Sequence, residues 1–278
     1  MITIFNSGVS GMIGQQQKVD NISHNISNVN TSGYKGNRSN FSDLVYQDKS
    51  QRGTAVTPEP ETDLLPQAGR GSLLTSSPMD LTPGTPIDTG RPLDLAIEGE
   101  GYFGVQLPDE SINYTRCGSF NLDEEGRLVT SEGYLVEGDL ESVPSDRAYE
   151  TLHVNSQGEV YIREVSDPED NAEGEGPVAE DADIRLGQLD LYSFENPSGL
   201  SAQGGNLLAP TEASGDAEQG VPGEGELGSI RQGVLESSNV DLTSEMSKLI
   251  LTQKNFQFNS RSIHRADEMW AMANHMKR

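Results

Sequence analysis

Cysteine is nearly absent from this chain. Its 278 residues include one, Cys117, so no internal disulfide framework can form. Long apolar runs are missing as well: no stretch of about 18 apolar residues occurs, which excludes an ordinary transmembrane helix and any membrane insertion by that route. The N-terminus has no basic segment, apolar core and small-residue cleavage site in succession, so no cleavable secretory signal is expected. Positive charge is scarce: 19 Lys and Arg stand against 44 Asp and Glu, a net charge of −25. The deficit is local. Residues 1–50 and 236–278 each sum to +1, leaving −27 to residues 51–235. Acid so concentrated excludes a nucleic-acid partner, which needs a basic footprint, and adhesion to anionic lipid. It reads as a solvated exterior, while near-neutral ends suit packed helices.

Motifs of known chemistry are lacking too. No nucleophile elbow, phosphate-binding loop or paired-cysteine motif occurs. Gly99-Glu100-Gly101-Tyr102-Phe103-Gly104 fits GxGxxG by letter. A dinucleotide site needs a helix directly after that turn, to aim its dipole at the pyrophosphate. Alternating apolar residues follow here, so the reading is a β-turn. Asp167, Glu169 and Asn171 resemble the start of a calcium loop, but Ala172 stands where the turn glycine belongs. His24, His153, His264 and His275 have no metal-ligand spacing. No catalytic residue, metal site or cofactor is assigned, and an enzyme is not expected. Cys117 reads as a small buried strand residue, not a reactive thiol.

What the chain does have is helical periodicity at both ends. Leu242, Leu249, Phe256, Ile263 and Trp270 recur every seven residues, with Met246 four after the first. Ile250, Ala266, Met269, Ala273 and Met276 widen the stripe, and no proline or glycine interrupts residues 239–278. The pattern predicts one long amphipathic helix with a coiled-coil-like seam, N-capped by Asp241 with Glu245 in the first turn. Taken four residues after the apolar stripe, the seam's second positions are Gln253, Ser260, Asp267 and Asn274. Such a seam suits several neighbours better than an isolated dimer. At the other end Phe5, Val9, Met12, Val19, Ile22, Ile26 and Val29 fall at spacings of three, four or seven and predict a helix over 4–29. Gly8, Gly11 and Gly14 each weaken it by about 1 kcal/mol relative to alanine, so it needs a partner. Asn30 to Tyr34 is turn chemistry. Candidate subunit-interface residues are Phe5, Val9, Met12, Val19, Ile22 and Ile26 on the first helix. On the second they are Leu242, Met246, Leu249, Phe256, Ile263 and Trp270. An ordinary intramolecular helix pair beside a globular core fits the same pattern.

Between the helices the pattern changes twice. Half of the fourteen prolines fall in 58–92, which forbids helix and leaves extended or hairpin structure. Phe41, Leu44, Val45 and Tyr46 form an apolar patch there, suited to docking. From 93 onward the period is two: Leu93, Leu95, Ile97, then Phe103, Val105, Leu107. Asp123–Gly126 and Asn155–Gly158 are hairpin turns between such runs, giving an antiparallel β domain. The acidic tracts 166–183 and 212–226 read as exposed loops. The fold class is therefore α+β. Its parts are an N-terminal core helix (1–30), an extended linker or hairpin region (31–92), a β-rich outer domain with acidic loops (93–235) and a C-terminal core helix (236–278).

Three segments carry a resemblance. HNISNVNTSGYKG (24–36) looks like the N-terminal signature of the bacterial flagellar rod and hook proteins. LESSNVDLTSEMSKLILTQKNFQFNSRSIHRADEM (235–269) is similar to their C-terminal signature. LDLAIEGEGYFGVQ (93–106) and YTRCGSFNLDEEGRLVTSEGYLV (114–136) resemble their middle segment. Within that family the length favours the distal rod type over the longer hook subunit. The resemblance implies a structural subunit whose terminal helices pack into a tubular core, with the β domain outside and the linker between subunits. It implies a helical homopolymer that transmits torque from motor to hook, partnered by other rod and hook proteins. It also implies export beyond the cytoplasmic membrane through the flagellar type III apparatus, without cleavage, to the basal body. Two other classes fit the residues alone. One is a secreted acidic β-domain binding protein, adhesin-like, with a coiled-coil oligomerisation stalk. The other is a metal-dependent hydrolase using the acidic tracts.

Overall fold

The structure, a computed structural model, describes residues 2–44, 47–48, 67–68, 71–140, 152–162, 184–225 and 227–276. It divides into two compact units. One takes residues 1–27, 37–80 and 241–278; the other takes 28–36 and 81–240.

The first unit is built on α1 (Ile2–Ser27) and α2 (Leu242–His275). Both helices form where the 3.6-residue period predicts them. Asp241 caps α2, its carboxylate accepting from the Thr243 and Ser244 amides at 3.1 and 3.3 Å. That satisfies two of the donors a helix start leaves free. The 34 residues of α2 span about 51 Å at 1.5 Å per residue. The two helices pack antiparallel, with Gly8 at Ile263, Gly11 at Asn259 and Asn25 at Glu245. The glycines that weaken α1 on its own lie where its neighbours come closest. A Cβ on Gly8 would stand 2.9 Å from Ile263 Cγ1, and one on Gly11 2.8 Å from Asn259 Nδ2.

Gly14 does the same toward Phe41, 2.9 Å from its ring. Phe41 belongs to the strand Asn40–Asp43, which pairs antiparallel with Ser72–Ser76. Asn21 of α1 donates to Ser39 Oγ at 2.8 Å and to Ser77 Oγ at 2.9 Å, fixing the base of that ladder. A second short pair joins Gln47–Asp48 to Gln67–Ala68. Part of the proline-bearing stretch is thus an antiparallel ribbon laid on α1. Val45 and Tyr46 of the expected docking patch lie outside the described residues.

The second unit is antiparallel β in all its named ladders. Its nine-stranded sheet forks at Tyr102–Gln106. Ile112–Thr115 pairs along one edge. On the other edge Leu191–Ser193 takes Tyr102 and Phe103, while Leu135–Val136 takes Val105 and Gln106. The predicted hairpins form: Phe120–Leu122 with Leu128–Thr130, and Leu152–Val154 with Glu159–Ile162. The second belongs to a four-stranded sheet with Ile184–Gln188 and Asp139–Leu140. Alternation places Phe103, Val105, Phe120, Leu189 and Leu191 in one core, each fully buried. Phe103 and Phe120 meet edge to face, with ring centroids 5.2 Å apart. An apolar cavity of about 90 Å³ remains in that core, beside Leu122, Leu140, Leu152 and Leu186.

Some local readings change. Cys117 sits in the bend after Ile112–Thr115, half-buried, its Sγ 3.3 Å from Ser119 Oγ. The second acidic tract is not all loop, because Glu218–Gly220 pairs with Leu191–Ser193; backbone ladders do not require apolar side chains. Tract 166–183, with its calcium-like start, lies outside the described residues. At the GxGxxG letters, Gly99 and Gly101 hold φ of +127° and +135° around a bridge from Glu100 to Leu227, a bend in place of the expected β-turn, and a strand follows, not a helix.

Candidate assembly interface

The twelve candidate interface residues separate into two groups. Ile22 is buried, at 4% exposure, while Phe5, Met12, Val19, Ile26, Leu249 and Ile263 are half-buried. Val9, Leu242, Met246, Phe256 and Trp270 are exposed, Trp270 at 55%. The seam that α2 turns to α1 keeps Leu249 and Ile263 but takes different second positions. Glu245, Thr252 and Ala266 are the buried residues of α2, and Asn259 stands against Gly11. These lie three residues after the stripe, not four, so Gln253 and Asp267 face outward. Three and four residues both complete a helical turn; which is used depends on where the partner's small residues let it approach.

This seam is polar, and its groups are satisfied locally. Thr252 donates to the Lys248 carbonyl at 2.7 Å. The Glu245 carboxylate accepts from Lys248 at 2.6 Å and faces Asn25 Nδ2 at 3.5 Å. Asn25 in turn accepts from the Asn37 amide at 2.9 Å. One buried polar group per seam is a known device for fixing register.

A second apolar face of α2 has no partner among the described residues. Leu251, Phe258, Met272 and Met276 are 61%, 60%, 59% and 83% exposed, and Met269 is exposed with them. At about 100° per residue they lie roughly 90° to 150° around the helix from the midline of the buried seam. Leu251, Phe258 and Met272 keep the same heptad phase, a second stripe that the stronger first one hides in the sequence. Ile250 flanks it, and Val9 and Ile13 are bare on α1. Bare apolar patches of this size mark interaction surfaces, and a helix apolar on opposite sides belongs in an environment that covers both.

In the second unit the two terminal signature segments meet around one buried carboxylate. Glu236, on the strand Val234–Glu236, is 4% exposed. Lys35 Nζ donates to its Oε1 and Arg116 Nη1 lies 3.3 Å from its Oε2, with all three side chains at most 6% exposed. Lys35 also donates to the Thr82 carbonyl at 2.8 Å, and the Gly84 amide to Glu236 Oε1 at 2.8 Å. Arg116 reaches the Gly99 carbonyl at 2.7 Å and lies 5.4 Å from the Tyr102 ring centre. Burial pushes the Tyr102 phenol up, partly offset by Arg116. The backbone joins in. The Gly33 amide donates to the Glu236 carbonyl at 2.8 Å, and the Gly36 amide to Asn239 Oδ1 at 2.8 Å. Sequence spacing gave no sign of this pairing, since its partners are 201 and 120 residues apart.

Among the described residues no cluster of three or more His, Cys, Asp or Glu could hold a metal ion. Two apolar helix faces and a clasped pair of chain ends define a structural, assembling protein.

The comparisons agree. Residues 5–35 match the family model for flagella basal body rod proteins, 96–162 that for the flagellar hook protein FlgE/F/G D1 domain, and 231–276 that for the flagellar basal body rod FlgEFG C-terminal region. The flagellar basal-body rod protein FlgG of Borreliella burgdorferi is 37% identical over 98% of this chain and 97% of its own length. That of Bacillus subtilis is 38% identical over the whole of both chains, and that of Caulobacter vibrioides 36% over 95% of both. The chain belongs to the flagellar basal-body rod and hook protein family, as a structural rod protein similar to the FlgG-type distal rod members.

Proposed function

We propose that this chain polymerises with copies of itself into a helical tube through α1 and α2, and that the tube carries torque from motor to hook. The observation that supports it best is the uncovered apolar face of α2 opposite the seam with α1. Covering that face stabilises assembly by about 1 to 3 kcal/mol for each large side chain. Contact between one face and a different face of the next copy gives an open helical tube wherever the rotation between copies does not close into a ring. The twelve residues of the two stripes are proposed as the interface. Those turned inward set the helix pair, and those turned outward meet neighbours. Other rod and hook proteins are proposed at the ends of the tube, and the flagellar export apparatus as the route out of the cytoplasm. The acidic β unit suits a solvated position outside the helical core. The test is assembly of the purified chain. Concentration-dependent polymers with a helical lattice in electron microscopy are expected. A chain that stays a monomer or small closed oligomer at high concentration would overturn the proposal.

A further inference from the structure

The chain passes from one unit to the other four times, at 27/28, 36/37, 80/81 and 240/241. Any load on the helices therefore enters the β unit at these joints. Inside the β unit the segments beside them are tied to one another. Lys35 joins Thr82 and Glu236; Gly36 joins Asn239; Asn239 Nδ2 donates to the Thr82 carbonyl at 3.2 Å; Ser237 donates to Thr85 at 3.0 Å. Arg116 then fixes Glu236 to the end of a sheet strand and to Gly99.

We propose that the buried Lys35–Glu236–Arg116 cluster is the mechanical anchor of the β unit, the point at which force arriving from both terminal helices is taken up. The reason lies in the load path. Tension on the two ends enters at residues 28 and 240. The short connections between them are Gly33 to the Glu236 carbonyl, Gly36 to Asn239, and Lys35 to the Glu236 carboxylate. Of these only the last is charge-assisted, and none passes through the nine-stranded sheet. A charge-assisted pair buried from water resists separation more than neutral hydrogen bonds do, and here one carboxylate holds three segments and the sheet together. Lys35 ties the joints to one another, whereas Arg116 ties that knot to the sheet. Replacing Lys35 leaves the Arg116–Glu236 pair neutralised. This inference rests on the torque-bearing reading, but its test uses single chains and does not depend on polymerisation.

The experiment is single-molecule pulling of the full chain in two geometries: from its termini, and from handles at the exposed positions Glu124 and Asp216 in a Cys117→Ser background. Lys35→Met should raise the rupture rate of the β unit at fixed force at least tenfold when the termini are pulled, and leave it unchanged between 124 and 216. Should Lys35→Met not fold, Asn239→Ala removes the Gly36 and Thr82 bonds without touching a charge and is expected to show the same asymmetry. An equal effect in both geometries would make the cluster a general stabiliser, and no effect in either would make it mechanically idle; each result overturns the proposal. Failure of the chain to polymerise would overturn the assembly reading while leaving the pulling result intact.

Discussion

Phe258→Asp separates the two faces of α2 most cleanly. Phe258 is 60% exposed in the single chain and lies away from the α1 seam. Surface changes of this kind cost a folded chain no more than about 0.5 kcal/mol. The cost in an assembly is different. A buried phenylalanine removes roughly 200 Å² from water, so covering the bare three-fifths of this ring accounts for about 120 Å². At about 25 cal/mol per Å² that is about 3 kcal/mol per contact. An aspartate forfeits it and adds the desolvation of an unpaired charge. Since about 1.4 kcal/mol is tenfold in an equilibrium constant, the critical concentration should rise more than about 100-fold. Sedimentation would measure that concentration, and circular dichroism of dilute chain would confirm unchanged helix and sheet content. The seam serves as contrast: Ile263→Asp should lose helix content in the dilute chain as well, because Ile263 packs on Gly8. Wild-type assembly by Phe258→Asp would refute the claim that this face is buried between copies.

Gly8→Leu should force the helices apart at Ile263 and destabilise the pair by about 1 to 3 kcal/mol, read as lost helical signal on heating with the β unit's transition unmoved. Burial raises the phenols of Tyr102, Tyr114 and Tyr192, with Glu137 adding to Tyr114 and Tyr192. The unfolded chain then releases these protons first, so stability is kept below about pH 10 and falls as pH climbs toward the raised folded values. Denaturation at pH 9 and 11 should show that loss, smaller for Tyr192→Phe. Because −27 of charge lies in 51–235, sodium chloride should raise the melting temperature up to a few tenths molar, where the Debye length drops below about 10 Å. Millimolar calcium at matched ionic strength should add nothing. Hydrogen exchange on dilute chain should be fast at α1 and slow at Tyr102–Gln106, whose residues Phe103 and Val105 are 0% exposed.

The parts of the fold set by local pattern could be read from the sequence. A period of 3.6 marked α1 and α2, a period of two with turn residues marked Phe120–Thr130 and Leu152–Ile162, and an aspartate marked the start of α2. The parts set by partners could not. Leu249, Phe256 and Ile263 were visible as a stripe, but whether residue 252 or 253 completes it depends on where α1 is narrow, and that depends on Gly8 and Gly11. Those glycines read as flaws because propensity is counted along one helix, whereas their use is a matter of distance to another. The Glu236 cluster was hidden for the opposite reason. Lys35, Arg116 and Glu236 are ordinary residues whose meeting is made by backbone bonds between remote segments, Gly33 to Glu236 and Val234–Glu236 to Pro86–Asp88.

The polarity of the α1–α2 seam, which looks like a weakness, follows from where apolar surface is most useful in an assembling subunit. A seam of leucines would hold the pair firmly in the single chain and leave register loosely specified, since apolar contacts are tolerant of sliding. Thr252 and the Glu245–Lys248 pair are satisfied within α2, and the Asn25–Glu245 approach is the one among them that crosses to α1. It contributes little net stability but penalises registers that part Asn25 from Glu245. Meanwhile Leu251, Phe258, Met269, Met272 and Met276 carry their apolar surface on a side that no described residue covers. Methionine, flexible and polarisable, fills irregular contacts, which suits the end of a helix that meets neighbours of more than one shape. On the proposed assembly, the chain uses polar groups to define the shape of the subunit and reserves its hydrophobic free energy for joining subunits together. On this division, substitutions within the seam alter which register forms, while substitutions on the opposite face alter how tightly copies associate.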